Sequence, residues 1–312
     1  MKENLKIAIL GATSHIAKGL IYNFNKKEYS ELFLFARSLE RLRDFLRSIQ
    51  CQKGVNLKGF DELNDEGYDV IINCIGISGA KNLEDQVSSY SRLTETFDNL
   101  ILDYLRNHPE TLYINFSSGA AYGTDFSVPA EEATFSKWDI NHLSEADYYG
   151  IAKLNSETKH RALNNFNIVD FRIFSYFSRF IDIESRYLLT EIISCIRDGK
   201  EFITSPDNII RDYIHRNDLY SLVEKCVDKK IINDIFDCYS LKPVNKFEIL
   251  DFFVAEYGLK YMVRDDIKTS AITGTKDNYY SLNRKAKDIG YNPQFTSMDS
   301  IVQESFTILE TA

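Results

Sequence analysis

The chain has 312 residues, 44% of them hydrophobic, and a formal charge of −9 at pH 7; single cores stop growing at roughly 250–300 residues, so one large domain with a smaller lobe is expected. The acidity argues against a nucleic-acid or anionic-membrane surface and favours a small anionic ligand held in a local basic pocket. The opening MKENLKIAIL has too few apolar residues for a secretory leader, and no later run reaches membrane length, so a soluble, cytoplasmic protein is expected.

Short apolar runs alternate with helical stretches through the first half. LKIAIL at 5–10, ELFLFA at 31–36, DVIINCIG at 69–76, TLYINFSS at 111–118 and NIVDFRIF at 167–174 read as strands, and 15–25, 39–49, 83–107 and 148–164 as helices between them. Strands separated by helices imply right-handed crossovers and a parallel sheet, and the near-continuous apolar runs imply burial on both faces. The expected fold is α/β, a Rossmann-type doubly wound parallel sheet over 1–174 with segments returning from about 208–240, and a smaller C-terminal lobe over 175–312.

Gly11 follows the first strand directly in GATSHIA, where small residues let backbone amides approach a pyrophosphate at a helix N-terminus. Arg37 and Ser38 follow the second strand at a place where NAD-preferring enzymes put an acid; a guanidinium there suits the 2′-phosphate of NADP, although Arg37 also begins a solvated, arginine-rich helix. The polar stretch from Gly123 to Asp147 reads as a long loop of the kind that covers a site. Before it stands SSGAAYG at 117–123 and after it YGIAK at 149–153. Tyr149 and Lys153, at i and i+4, share a helix face, so an ammonium can ease ionisation of a phenol that otherwise titrates near ~10. Tyr22 and Lys26 repeat the spacing, but on the first helix, away from any serine motif, and read as structural.

Beyond about 175 the alternation becomes irregular, with amphipathic helices at 185–199 and 246–258. Cys51, Cys74, Cys195, Cys226 and Cys238 are scattered, with no CxxC pair, and read as reduced packing residues; the five histidines lack ligand spacing, so no metal is expected.

The order of glycine loop, then serine motif, then YxxxK resembles the extended branch of the short-chain dehydrogenase/reductases, the NAD(P)-dependent sugar-nucleotide epimerases, dehydratases and reductases. NIIRDYIHRNDL at 208–219 resembles a stretch of the sugar-nucleotide epimerases, and the tail NYYSLNRKAKDIGYNPQFTSMDSI resembles that family's terminal segment. The family's loop is GxxGxxG, and here those positions hold Gly11, Ser14 and Ala17. The resemblance places Gly11, Thr13, Ser14, His15, Ile16, Arg37, Ser38 and Asp61 on the cofactor, with Asp61 at the adenine. It assigns proton exchange to Tyr149, support of that phenol and of the nicotinamide ribose to Lys153, the substrate oxygen to Ser118, and the diphosphate of a nucleotide-diphosphate sugar to Arg211. Ser175 stands where many members have asparagine. The resemblance also implies a homodimer through the helices at 83–107 and 148–164, but the same apolar faces could serve a monomer's core.

The family's 4,6-dehydratases follow the serine or threonine with an Asp-Glu pair, whereas Gly119 and Ala120 stand here, which argues against elimination. The leading expectation is an NADPH-dependent reductase of a nucleotide-linked keto sugar, such as a 4-keto-6-deoxy sugar, because Arg37 favours NADP and a reductase consumes its cofactor. The alternative is a nucleotide-sugar 4-epimerase that recycles NAD(P). A third reading, a non-catalytic NADP-binding regulator, is disfavoured because a sensor has no need of Ser118, Tyr149 and Lys153 together.

Overall fold

Mostly apolar runs of four to seven residues, bounded by turn and cap residues, form the central strands of the computed structural model, which describes residues 5–26, 30–51, 54–76, 83–229, 231–266 and 276–310. The first half comprises β1 (Leu5–Leu10), α1 (His15–Asn25), β2 (Ser30–Phe35), α2 (Leu39–Ser48), β3 (Val55–Lys58), β4 (Val70–Asn73), α3 (Leu83–Asn107), β5 (Leu112–Ser118), α4 (Glu145–Ala162) and β6 (Ile168–Ile173). The second half adds β7 (Ser175–Tyr176), α5 (Leu188–Asp198), β8 (Phe202–Thr204), β9 (Ile210–Arg211), β10 (Tyr213–Ile214), α6 (Arg216–Val227), β11 (Asn233–Asp237), β12 (Val244–Asn245), α7 (Lys246–Tyr257), β13 (Tyr261–Val263), β14 (Asn278–Tyr279) and α8 (Ser297–Glu310). Among the described residues, no helix is long and apolar enough to cross a membrane.

Seven strands make one sheet in the order β3, β2, β1, β4, β5, β6, β11, every neighbouring pair parallel. This is the Rossmann-type doubly wound sheet. Alternate residues face opposite layers: Ile7, Ile9, Leu32, Leu34, Ile72 and Ile114 join a core with α1, α2 and α6, while Ala8, Leu10, Phe33, Phe35, Ile71 and Tyr113 join another with α3. The short, mostly polar edge strands β3 and β11 have no long apolar run to announce them. Strand order reverses between β1 and β4, which opens the crevice at their carboxyl ends where α/β sheets bind ligands.

A third core, including Phe177, Ile192, Phe202, Ile249, Phe253 and Ile301, lies in the second half of the chain. Residues of α6, with Phe236, Ala286 and Tyr291, instead join the first core, so the chain returns to the sheet after entering the smaller lobe. Buried Glu304 of α8 joins these parts: Arg179 Nε donates to it at 2.8 Å and Arg216 Nε at 3.2 Å, while Arg216 also donates to Asn23 of α1 at 2.6 Å.

The helix that carries the YxxxK pair is fixed from behind by buried charge. His160 of α4 lies between Asp98 of α3 at 2.7 Å and Asp170 of β6 at 2.9 Å. Burial opposes the imidazolium, but the two carboxylates outweigh it and raise the group to about 9. Glu157, one turn beyond Lys153, accepts from Ser117 at 2.5 Å and from Arg172 Nε at 2.9 Å and Nη2 at 2.6 Å. These contacts fix the rotation of α4 relative to β5.

Candidate active site

β5 ends at Ser118, which also caps the single-turn helix Gly119–Tyr122 through a bond from Ala120 N at 3.2 Å. α4 crosses close above it because Gly150 has no side chain: a Cβ there would stand 2.3 Å from the Ala120 carbonyl oxygen and 2.5 Å from the Trp138 ring. That approach brings Tyr149 beside Ser118, whose hydroxyl acts to lower its phenol. Lys153 is buried; its Nζ donates to the Phe116 carbonyl at 2.7 Å and lies 5.9 Å from the centre of the Tyr149 ring. The structure therefore brings Ser118, Tyr149 and Lys153 together.

Their electrostatics differ from the simple expectation of a lysine lowering a tyrosine. Burial raises the Tyr149 phenol, and the opposing pull comes from Ser118. Burial also lowers Lys153, with Asp170, Asp98 and Glu157 partly restoring it. The ammonium is engaged by the Phe116 backbone oxygen and lies over the Tyr149 ring. Tyr22 and Lys26 have an even closer ring contact, 4.6 Å, but Tyr22 packs against Phe180 and under Arg216. Spacing alone cannot separate the two pairs; the neighbouring serine does.

One member of the site was missed by sequence reasoning. The Tyr279 hydroxyl lies 3.0 Å from Ser118 Oγ. Tyr279 is on β14, paired in register with Arg211 of β9, so the arginine singled out from sequence lies beside the serine's new neighbour. The long loop after Gly123 holds this arrangement: Asn278 N donates to Phe126 O, Ala130 N to Tyr280 O, and Leu282 N to Ala130 O. Buried Asp237 ties the same parts together by accepting from Tyr122 at 2.9 Å and Ser281 at 2.6 Å. The tail motif was visible in the sequence, but nothing local indicated which tyrosine in NYYSL turns inward.

The candidate cofactor residues surround the β1–β4 crevice. Gly11, at φ 73°, ends β1, and Ser14 caps α1 by accepting from Ala17 N at 3.4 Å. The serine side chain thus serves the helix terminus itself. Thr13 is half-buried in the same turn and Ile16 packs against the sheet core. His15 faces the smaller lobe: its Nε2 lies 2.9 Å from Ser178 Oγ and its ring 4.6 Å from that of Tyr176. Burial lowers it to about 4, despite the Ser178 bond. Arg37 is exposed just past β2, and Ser38 caps α2 through a bond from Arg41 N at 3.4 Å. Asp61 is exposed in the short helix Phe60–Asp65. The turn after β1, the α1 N-terminus and buried Lys153 below fit an extended dinucleotide.

A family model described as the NAD dependent epimerase/dehydratase family matches residues 7–237. No curated protein sequence matches the chain. Among solved structures, the UDP-glucuronic acid 4-epimerase from Bacillus cereus, in complex with UDP-glucuronic acid and NAD, is similar at a TM-score of 0.80 and 16% identity, covering 99% of this chain and 100% of that one. The UDP-glucose-4-epimerase from Stenotrophomonas maltophila, with bound NAD, gives 0.79 and 12%, covering 98% of each chain. The dTDP-glucose 4,6-dehydratase from Bacillus anthracis, in complex with NAD, gives 0.74 and 13%, covering 96% of this chain and 95% of that one. At these identities the structural likeness is one of fold.

Proposed function

The chain belongs to the NAD-dependent epimerase/dehydratase family, and from that premise we propose that it is a nucleotide-sugar 4-epimerase that recycles a bound nicotinamide cofactor. The observation that carries this reading is the Ser118–Tyr149–Lys153 set with no acid beside Ser118. Gly119 packs so tightly that a Cβ would meet the Phe174 ring at 2.4 Å, so an acidic side chain at that place has no room. The chemistry reduces to moving a hydride and a proton at a carbon bearing a hydroxyl, without elimination. The 4-epimerases similar in fold support this choice over net reduction.

A nicotinamide dinucleotide held by the turn after β1, the α1 N-terminus and Lys153 would supply the hydride chemistry. Ser118 holds the reacting oxygen, and Tyr149, as a phenolate stabilised by the Lys153 charge, takes that oxygen's proton and then, as the phenol, gives it back. Tyr279 bounds the sugar on the side of Ser118, and Arg211 takes a diphosphate oxygen. Inversion at C4 would require the sugar to turn between Ser118 and Tyr279 while Arg211 keeps hold of the diphosphate. We assign 1–174 and the returning segment 208–240 to the cofactor lobe and the remainder to the substrate lobe, and we place the protein in the cytoplasm as a homodimer through α3 and α4.

One observation favours a second reading, NADPH-dependent reduction of a nucleotide-linked keto sugar. Arg37, beside the Ser38-capped N-terminus of α2, makes a cationic end to β2 suited to a 2′-phosphate. Incubation with UDP-glucose, UDP-glucuronic acid and UDP-N-acetylglucosamine separates the readings. An isomer of unchanged mass with no net cofactor loss is expected. A product two mass units heavier, formed from a 4-keto-6-deoxy nucleotide sugar with one NADPH oxidised per sugar, would establish the reductase.

A further inference from the structure

Arg172 of β6 lies behind the proton-transfer set, and each part of that set reaches it through a short chain of contacts. Ser117, Arg172 and Asp237 are in register across β5, β6 and β11, so their side chains leave the sheet on one face. The guanidinium forks onto Glu157 of α4, at 2.9 Å from Nε and 2.6 Å from Nη2, and its Nη1 lies 3.7 Å from Asp237. It also lies over the Tyr122 ring, 4.3 Å from the centre. Glu157 accepts from the Ser117 hydroxyl at 2.5 Å, and Asp237 from those of Tyr122 at 2.9 Å and Ser281 at 2.6 Å. Ser117 precedes Ser118, Glu157 follows Lys153 on the helix of Tyr149, and Ser281 closely follows Tyr279.

Burying this cluster costs free energy, because the Arg172 side chain is only 13% exposed and those of Glu157 and Asp237 1% each. Apolar residues of the same volume generally give a fold as much stability, so stability alone does not account for it. Apolar contacts cannot fix direction. A bidentate guanidinium–carboxylate pair sets the angle of both partners, and here that angle sets the rotation of α4 and so the aim of Tyr149 and Lys153. The charge matters as well. Glu157 holds up the Lys153 ammonium together with Asp170 and Asp98, and Arg172 is the cation that pairs with it. Left unpaired, that carboxylate would resist ionisation of the Tyr149 phenol, about two turns away along α4. The other groups that bear on Lys153 and Tyr149 are Cys74 on β4, Ser118 on β5 and Tyr279 on β14.

We propose that Arg172 is a positioning residue for the proton-transfer step. Through Glu157 it aims the α4 face that carries Tyr149 and Lys153 at Ser118, through Asp237 it registers the Tyr279 wall, and its charge offsets the Glu157 carboxylate. The proposal rests on the reading of Tyr149 as the group that exchanges the proton.

The test compares the NAD-loaded wild type with Arg172→Met, Arg172→Lys and the double variant Arg172→Met with Glu157→Gln. One readout is steady-state turnover of UDP-glucose, UDP-glucuronic acid or UDP-N-acetylglucosamine. The other is the pH at which Tyr149 ionises, followed by NMR of isotope-labelled tyrosine and assigned with Tyr149→Phe. Arg172→Met should lower kcat about tenfold to a hundredfold, with KM and NAD affinity within about threefold of wild type. It should also move the phenol upward by about 0.5–1 in pH. The double variant, with neither charge, should return the phenol to its wild-type pH while kcat stays low. Arg172→Lys keeps the charge without the fork, so the phenol should stay in place while kcat falls about tenfold. A merely structural role would lower melting temperature, NAD affinity and kcat together and leave the phenol unmoved in Arg172→Met; that result would overturn the proposal, as would wild-type kcat in Arg172→Lys. Should Arg172→Met fail to fold, Arg172→Lys decides: a fall in kcat at unchanged KM and NAD affinity supports the proposal, and wild-type kcat overturns it. If wild type turned over none of the three sugars, the epimerase reading would fall, and the phenol titration would decide this inference by itself.

Discussion

The crevice between β1 and β4 and the wall opposite it are built in different ways. The crevice is local: Gly11, the Ser14 cap and α1 follow one another within fifteen residues of chain, and the parallel sheet below holds them. The wall is assembled from distant segments. Tyr279 meets Ser118 across 161 positions, Asn278 meets Ser127 across 151, and Tyr122 meets Asp237 across 115. A dinucleotide can therefore be held by one short unit of the fold, whereas the substrate side depends on the whole chain closing on itself. Tyr149 sits where the two meet.

Removing that meeting point should have the largest effect. Tyr149→Phe deletes one hydroxyl and little volume, so turnover should fall by roughly 10²–10⁴ while nicotinamide cofactor binding is retained; turnover near wild type would assign proton transfer to another group. Gly150→Ala attacks the approach of α4 to the Gly119–Tyr122 turn. Overpacking there should cost about 1–3 kcal/mol of stability, and displacement of the phenol by about an ångström should slow turnover on the order of a hundredfold. Thermal melting and kinetics check both parts, and an unchanged rate would show that Ser118 and Tyr149 do not need this contact.

Arg37→Ala tests the crevice alone. On the reductase reading, NADPH affinity should fall about tenfold to a hundredfold and NADH affinity hardly at all; equal losses for both would remove that reading's support from Arg37. His160 tests the support behind α4. Its folded value of about 9 lies above the ordinary histidine value, so its contribution is fully present below about pH 6.5 and is lost as pH rises toward 9, on the order of 3 kcal/mol in all. Urea unfolding of wild type should weaken across that window, and His160→Gln should flatten the profile; an unchanged profile would show that the imidazole is not charged. Tyr22→Phe, at the second YxxxK pair, should leave turnover unaltered.

The same contrast explains what the sequence revealed. Buried central strands are near-continuous apolar runs, so β1, β2, β4, β5 and β6 could be read directly, and Ser118, Tyr149 and Lys153 came from motifs only a few residues long. The edge strands β3 and β11 need apolar residues on fewer positions and gave weaker signals. Tyr279 was missed because its surroundings come from the small strand pair β9–β14 and the pinned loop after Gly123. No local pattern says which of nineteen tyrosines will reach a serine across the fold. The spacing of Tyr149 and Lys153 was legible, but the bond of the ammonium to Phe116 O depends on the position of β5.

Reversible hydride transfer at the sugar's C4 is tested most directly with label. The NAD-loaded protein is incubated with UDP-glucose, UDP-glucuronic acid and UDP-N-acetylglucosamine, each carrying deuterium at C4, and the products are examined by NMR and mass spectrometry. One of the three should give the C4-inverted isomer at unchanged mass with deuterium still on C4 and no cofactor consumed, and Tyr149→Phe should abolish that conversion. Failure to invert any of them, together with stoichiometric NADPH oxidation on a 4-keto-6-deoxy nucleotide sugar, would contradict it.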